Sequence, residues 1–177
     1  MMTLVTGGSG SGKSEFAENR TLAYSRENLI YIATMIAFDE EAHRKIARHR
    51  EMRKEKNFDT RECFVDLKSL EFKQENTVLL DCMSNLVANE MYQENGAHEH
   101  TVERIIEGVK DIKRQVRNLV IVTNEVFSDG ITYDEETKRY INYLGAINKA
   151  LADMSDEVIE VVYTIPIYHK GREEDRC

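Results

Sequence analysis

The chain has 177 residues and a net charge of −8, from 24 Lys and Arg against 32 Asp and Glu. That length suits one domain with a proper core, residues 1–177, and the acidic balance disfavours broad binding to nucleic acid or anionic membranes. No apolar run approaches a transmembrane span, Met1-Met2-Thr3 leads straight into a strand with no room for a signal peptide, and Cys63, Cys82 and Cys177 form no C-x-x-C pair, so a reducing cytoplasm is the expected location.

The first apolar run, Leu4-Val5-Thr6, leads into Gly7-Gly8-Ser9-Gly10-Ser11-Gly12-Lys13-Ser14, a complete G-x-x-x-x-G-K-S phosphate loop. Glu15-Phe16-Ala17-Glu18 then opens a helix-forming stretch, so the loop sits on a strand-to-helix turn. Its glycines bare backbone N–H groups at the positive end of a helix, a cradle for a triphosphate. Lys13 is expected to reach the β- and γ-phosphates, and the Ser14 hydroxyl to ligate Mg²⁺. A glycine-rich turn fitting the pattern by chance is the bland alternative, and the flanking strand and helix weigh against it.

Further β-prone runs follow at 29–34, 78–81 and 119–123, and a last pair at 158–162 and 165–168. The middle runs are continuously apolar, as in strands covered on both faces. Helical patterns lie between them at 13–24, 40–56, 84–93, 100–116 and 134–154. This alternation predicts an α/β fold, a mostly parallel sheet flanked by helices. The closing pair, almost contiguous and carrying the only proline (Pro166), predicts an antiparallel hairpin at a sheet edge. Asp81 ends the apolar run Thr77-Val78-Leu79-Leu80, which is where phosphate-loop proteins place a carboxylate near the metal. Asp81 as the cap of the helix beginning near Ser84 is the competing expectation.

The segment 40–56 is helix-prone but carries only Ala42, Ile46, Ala47 and Met52 as apolar residues, too few to lie flat on a core. Lys45, His49 and Arg53 recur every fourth residue on one face. Near a triphosphate, that face suits polyphosphate, and neighbouring cations favour the neutral imidazole that attacks phosphorus. The residues alone leave this reading open beside a solvated, salt-bridged helix with an idle histidine. His98 and His100 point apart on a helix and lack a third ligand, and His43 and His169 show no partner.

Taken together, these motifs resemble the bifunctional adenosylcobinamide kinase/adenosylcobinamide-phosphate guanylyltransferases of cobalamin synthesis. The resemblance runs through the phosphate loop, Tyr31-Ile32-Ala33-Thr34, and Asp39, Glu41, Ile46, His49 and Arg53 in a D-x-E…R-I-x-x-H-x-x-x-R pattern whose first Arg is Lys45 here. It continues through Thr60-x-Glu62, Leu80-Asp81-Cys82-Met83 with Asn89, Thr123-Asn124-Glu125-Val126 and Gly145-x-x-Asn148. After Val126 this chain reads Phe127-Ser128-Asp129-Gly130, where family members read Gly-x-Gly. The resemblance implies a RecA-like phosphate-loop fold, a homotrimer, and a corrinoid substrate beside ATP or GTP with Mg²⁺. It implies phosphorylation of the adenosylcobinamide hydroxyl, then transfer of GMP from GTP through a guanylylated histidine to give adenosylcobinamide-GDP. On matching positions, His49 is the nucleophile, Arg50 and Arg53 hold nucleotide phosphates, Glu62 contacts guanine or ribose, Thr34 touches ligand from a strand end, and Asp81 joins Ser14 at the metal. Glu125 ends a strand near the same place and is either a site residue or a loop-ordering one.

Two rival functions remain at this level. One is a different small-molecule kinase with no histidine intermediate, and the other a nucleotide-gated regulatory protein. A switch GTPase is disfavoured, because no N-K-x-D string reads guanine.

Overall fold

A computed structural model describes residues 1–54, 56–125 and 133–171, without the side chains of Lys45, His49 and Met52. Seven strands form one sheet: β1 (Met2–Thr6), β2 (Leu29–Ala33), β3 (Asp59–Glu62), β4 (Thr77–Asp81), β5 (Asn118–Val122), β6 (Glu157–Val162) and β7 (Ile165–Lys170), in the order β3-β2-β4-β5-β1-β6-β7. Every pairing is parallel except β6 with β7, so the expected hairpin is found at the edge, with Pro166 opposite Val161. Among the described residues, five α-helices connect them: α1 (Lys13–Tyr24), α2 (Glu40–Arg53), α3 (Met83–Tyr92), α4 (Thr101–Gln115) and α5 (Glu135–Met154).

Period-two alternation divides the strand residues between two cores. Leu4, Ile30, Ile32, Val78, Leu80, Leu119 and Ile121 face α3, α4 and α5, which return Leu86, Ile105, Val109, Ile112, Leu144 and Ile147. Val5, Tyr31, Leu79, Val120 and Val122 face the other way, onto Ala17 of α1 and Phe58. Both faces are therefore apolar, which is why the central strands read as unbroken hydrophobic runs. Register brings Ala33, Asp81 and Val122 level at the C-terminal ends of β2, β4 and β5, beside the exit of β1 into the phosphate loop.

Two elements depart from the pattern. β3, Asp-Thr-Arg-Glu, has no apolar residue, so hydrophobic patterning gave no sign of it; as an edge strand it needs only main-chain pairing with β2. α2 is shorter than its helical pattern, ending at Arg53. It is a helix for local reasons: Asp39 caps it, accepting from the Ala42 N–H at 2.7 Å, Glu40 and Glu41 open it, and Arg50 and Arg53 close it in accord with the macrodipole. Among the described residues, no helix is long and apolar enough to cross a membrane.

Candidate functional site

The phosphate loop bridges β1 and α1 and is braced from three sides. The Thr164 N–H donates to Ser11 O at 2.8 Å, the Glu125 N–H to Gly7 O at 3.2 Å, and Lys13 Nζ to Gly8 O at 3.0 Å. Two of its glycines are obligatory. Gly7 has φ +155°, and a Cβ there would lie 2.5 Å from Val161 O; Gly12 has φ +90° and would meet Thr164 Cγ2 at 3.0 Å. Burial lowers the Lys13 ammonium below its ordinary pKa, against the opposing pull of Cys82 and Asp81.

Above the loop opens a cavity of about 470 Å³, with Ser9–Ser14 on one wall and Asp81, Asn85 and Asn124 on the other. Arg48 reaches this cavity from α2. A smaller cavity, about 50 Å³, lies beneath α2 against Tyr31, Ile46, Arg50, Arg53, Thr60 and Glu62. The two share Met35, Asp81 and Asn85 as lining, so Asp81 stands at their junction. Its Oδ2 accepts from the Tyr31 hydroxyl at 3.0 Å, and burial and the Asp81 charge together push the Tyr31 pKa up. Asp81 does not cap α3; the cap position belongs to Cys82, whose side chain makes no capping bond.

The anticipated site residues fall into distinct groups. Gly7, Gly8, Ser9, Gly10, Ser11, Gly12, Lys13 and Ser14 form one loop, and Asp81 faces it across the larger cavity. Ser14 and Asp81 offer hard oxygen donors, which suit Mg²⁺, an ion that takes one or two protein oxygens along with phosphate and water. Arg50 Nη2 and Glu62 Oε1 pair at 3.1 Å on the exposed rim of the smaller cavity. Arg53 is buried instead: its guanidinium carbon lies 3.4 Å from the Tyr31 ring centroid and Nη1 is 4.0 Å from Glu18 Oε1. Thr34 differs from expectation. It is fully buried, its Oγ1 donates to Cys82 O and accepts from Cys82 N (both 2.8 Å), and its carbonyl takes the Asn89 amide. With its hydroxyl bonded to Cys82 in both directions and no share in the lining of either cavity, it stitches β2 to β4.

The backbone of His49 lies in α2, one turn before Arg53, while its side chain lies outside the described residues. The Phe127–Gly130 departure also lies outside them. His169 does have a partner: its Nε2 is 2.9 Å from Glu160 Oε2. His98 Nδ1 meets Met91 O at 3.1 Å. Sequence reasoning passed over Arg48, Asn85, Asn124 and Glu18. Arg48 carried a faint signal, since it belongs to the same cationic helix, and Asn124 stood in the Thr-Asn-Glu-Val string without being given a role; Asn85 and Glu18 carried none.

The family model for cobinamide kinase/cobinamide phosphate guanyltransferase matches residues 3–168. The chain is 30% identical to the bifunctional adenosylcobalamin biosynthesis protein CobU of Salmonella typhimurium, covering 94% of this chain and 98% of that one. Identity and coverage are the same for the Escherichia coli protein of that name, and 28%, over 97% and 98%, for CobP of Pseudomonas aeruginosa. Among solved structures, an ATPase domain aligns with a TM-score of 0.52 at 12% identity, over 97% of this chain and 77% of that one. The flagellar accessory protein FlaH of Methanocaldococcus jannaschii aligns at 0.50 and 11%, over 97% and 78%. These last two likenesses concern the fold alone, which is RecA-like.

Proposed function

The chain belongs to the cobinamide kinase/cobinamide phosphate guanyltransferase family, and from this premise we propose that it performs both reactions on one phosphate-binding platform. In the first, the aminopropanol hydroxyl oxygen of adenosylcobinamide attacks the γ-phosphorus of ATP or GTP. The bond to the diphosphate breaks, and the hydroxyl proton is lost. In the second, an imidazole nitrogen of His49 attacks the α-phosphorus of GTP and expels pyrophosphate. An oxygen of adenosylcobinamide phosphate then attacks that phosphorus, the N–P bond breaks, and adenosylcobinamide-GDP leaves. Splitting the transfer into two displacements replaces one difficult step with two easier ones.

In this reading the loop amides and Lys13 hold the triphosphate, Arg48 and Arg50 supply charge from α2, and Glu62 governs Arg50 at the rim. Ser14 and Asp81 are the residues that would hold Mg²⁺, which when bound neutralises charge on the phosphate oxygens. The supporting observation is the junction at Met35, Asp81 and Asn85: the helix bearing His49 borders the same cavity as the phosphate loop.

Incubation with α-³²P-GTP and Mg²⁺ tests this reading. The expected result is an acid-labile label on His49. His49→Ala should lower labelling by about three orders of magnitude or more, with phosphorylation of adenosylcobinamide kept within a few fold. A variant that still takes up label would reject the assignment.

A further inference from the structure

The histidine-bearing helix has little to hold it in place. Its described side chains are mostly exposed, Ile46 is only partly buried, and the Arg50–Glu62 pair is exposed on both sides, a kind of contact worth about 0–1 kcal/mol. The exception is its C-terminal end. There Arg53 is buried on the Tyr31 ring, and Lys56, just beyond the helix, puts its Nζ 2.6 Å from Glu18 Oε2. Glu18 is fully buried in α1, five residues after Lys13. Its other oxygen, Oε1, faces Arg53 Nη1 at 4.0 Å, and neither atom has a hydrogen-bond partner. A buried carboxylate is costly unless opposite charge compensates it. Glu18 therefore demands the two cations, and both belong to the end of α2.

We propose that Glu18 is a positioning residue for the guanylylation step, holding the end of α2 on the helix that begins with the triphosphate-binding lysine. Position 49 lies one turn, about 6 Å along the axis, from the anchored Arg53. An element fixed at one end transmits any loosening of that end to its neighbours. Misplacement of a reacting group by about 1 Å costs about 100-fold in rate. The histidine step needs position 49 placed to within about 1 Å, whereas phosphoryl transfer at the loop draws on α2 only through the long-range charge of Arg48 and Arg50 and is far less sensitive to where the helix sits. The inference rests on His49 being the guanylyl acceptor.

The test measures single-turnover labelling from α-³²P-GTP and, separately, γ-phosphoryl transfer to adenosylcobinamide. The variants are Glu18→Gln, Arg53→Met and both together, with Glu18→Asp as the conservative control. Glu18→Gln should slow labelling by about 10- to 100-fold and leave phosphoryl transfer within about threefold, and Glu18→Asp should recover part of the loss. The double variant should be no slower than the slower single one, because both remove the same anchor. Amide exchange over residues 46–53 should quicken in Glu18→Gln without matching changes in the sheet. Equal slowing of both reactions, an undiminished Glu18→Gln penalty in the Arg53→Met background, or unaltered exchange over α2 would each overturn the anchor. Absence of label in the wild-type protein would overturn the histidine reading itself, and the two failures are distinguishable.

Discussion

Two buried charge clusters sit on opposite sides of α1, and they are finished to different degrees. Near the N-terminal ends of β1 and β6, Arg20 donates to Glu157 at 2.5 and 3.2 Å, and Tyr24 and Thr3 add bonds of 2.7 and 3.0 Å to the same carboxylate. Two residues earlier on the helix, Glu18 takes one close cation and leaves an oxygen facing Arg53 at 4.0 Å. Among the described residues, the buried side-chain polar atoms without a hydrogen-bond partner are Ser11 Oγ, Glu18 Oε1, Arg53 Nε and Arg53 Nη1. They belong to the phosphate loop or to the α2 anchor. Fully satisfied networks rigidify a fold, and unsatisfied buried groups call for a functional explanation. The first cluster is a structural knot, and the second lies beside the candidate site.

The sharpest way to break this contrast is to damage the knot. Removing one partner of a buried pair costs about 3–5 kcal/mol, so Glu157→Gln should lose that much stability to urea while the folded fraction keeps its turnover. A loss below about 1 kcal/mol would deny the knot its role. Its pH dependence has a definite sign. Burial pushes the Glu157 carboxyl up, but the bonds from Arg20, Tyr24 and Thr3 outweigh this, and the net pKa falls below the ordinary 4.5. Its contribution is therefore complete above that value and is lost as pH falls through the lower, folded-state pKa. Urea titrations should show the wild type losing its advantage over Glu157→Gln across that acid window.

Lys13→Ala is the converse experiment. It should cut both phosphoryl transfer and labelling by about 100- to 1,000-fold with little change in urea midpoint. Unchanged turnover would contradict the loop's role. The smallest effect is expected from Tyr31→Phe, which removes one hydrogen bond to Asp81 and keeps the ring under Arg53. Mn²⁺ binding in the presence of nucleotide, followed by electron paramagnetic resonance, should weaken by about three- to tenfold. Equal affinity would show that Tyr31 does not orient the carboxylate.

Much of this architecture was legible beforehand, because continuous apolar strands and a glycine motif are local signals. Leu79 and Ile121 announce a covered sheet through their own chemistry. β3 was not legible, since Asp59–Glu62 pairs through its backbone and carries no apolar mark. The site divided in the same way. The placing of Lys13, Ser14 and Asp81 around one cavity follows from motif and strand end, whereas sequence cannot show that Cys82 bonds to the Thr34 hydroxyl. The stacking of Arg53 on Tyr31 was equally hidden, because nothing in one dimension brings the two together. Glu18 read as ordinary helix charge for the same reason.

The bracing of the phosphate loop by Val161 and Thr164 has a bearing on biosynthesis. The phosphate-loop motif is made before the β6–β7 turn, whose Thr164 N–H donates to Ser11 O. A nascent chain halted before the β6–β7 turn would carry every residue of the motif and still lack the neighbour that holds Ser11 in shape. The loop thus gains this brace only once the β6–β7 turn has been made.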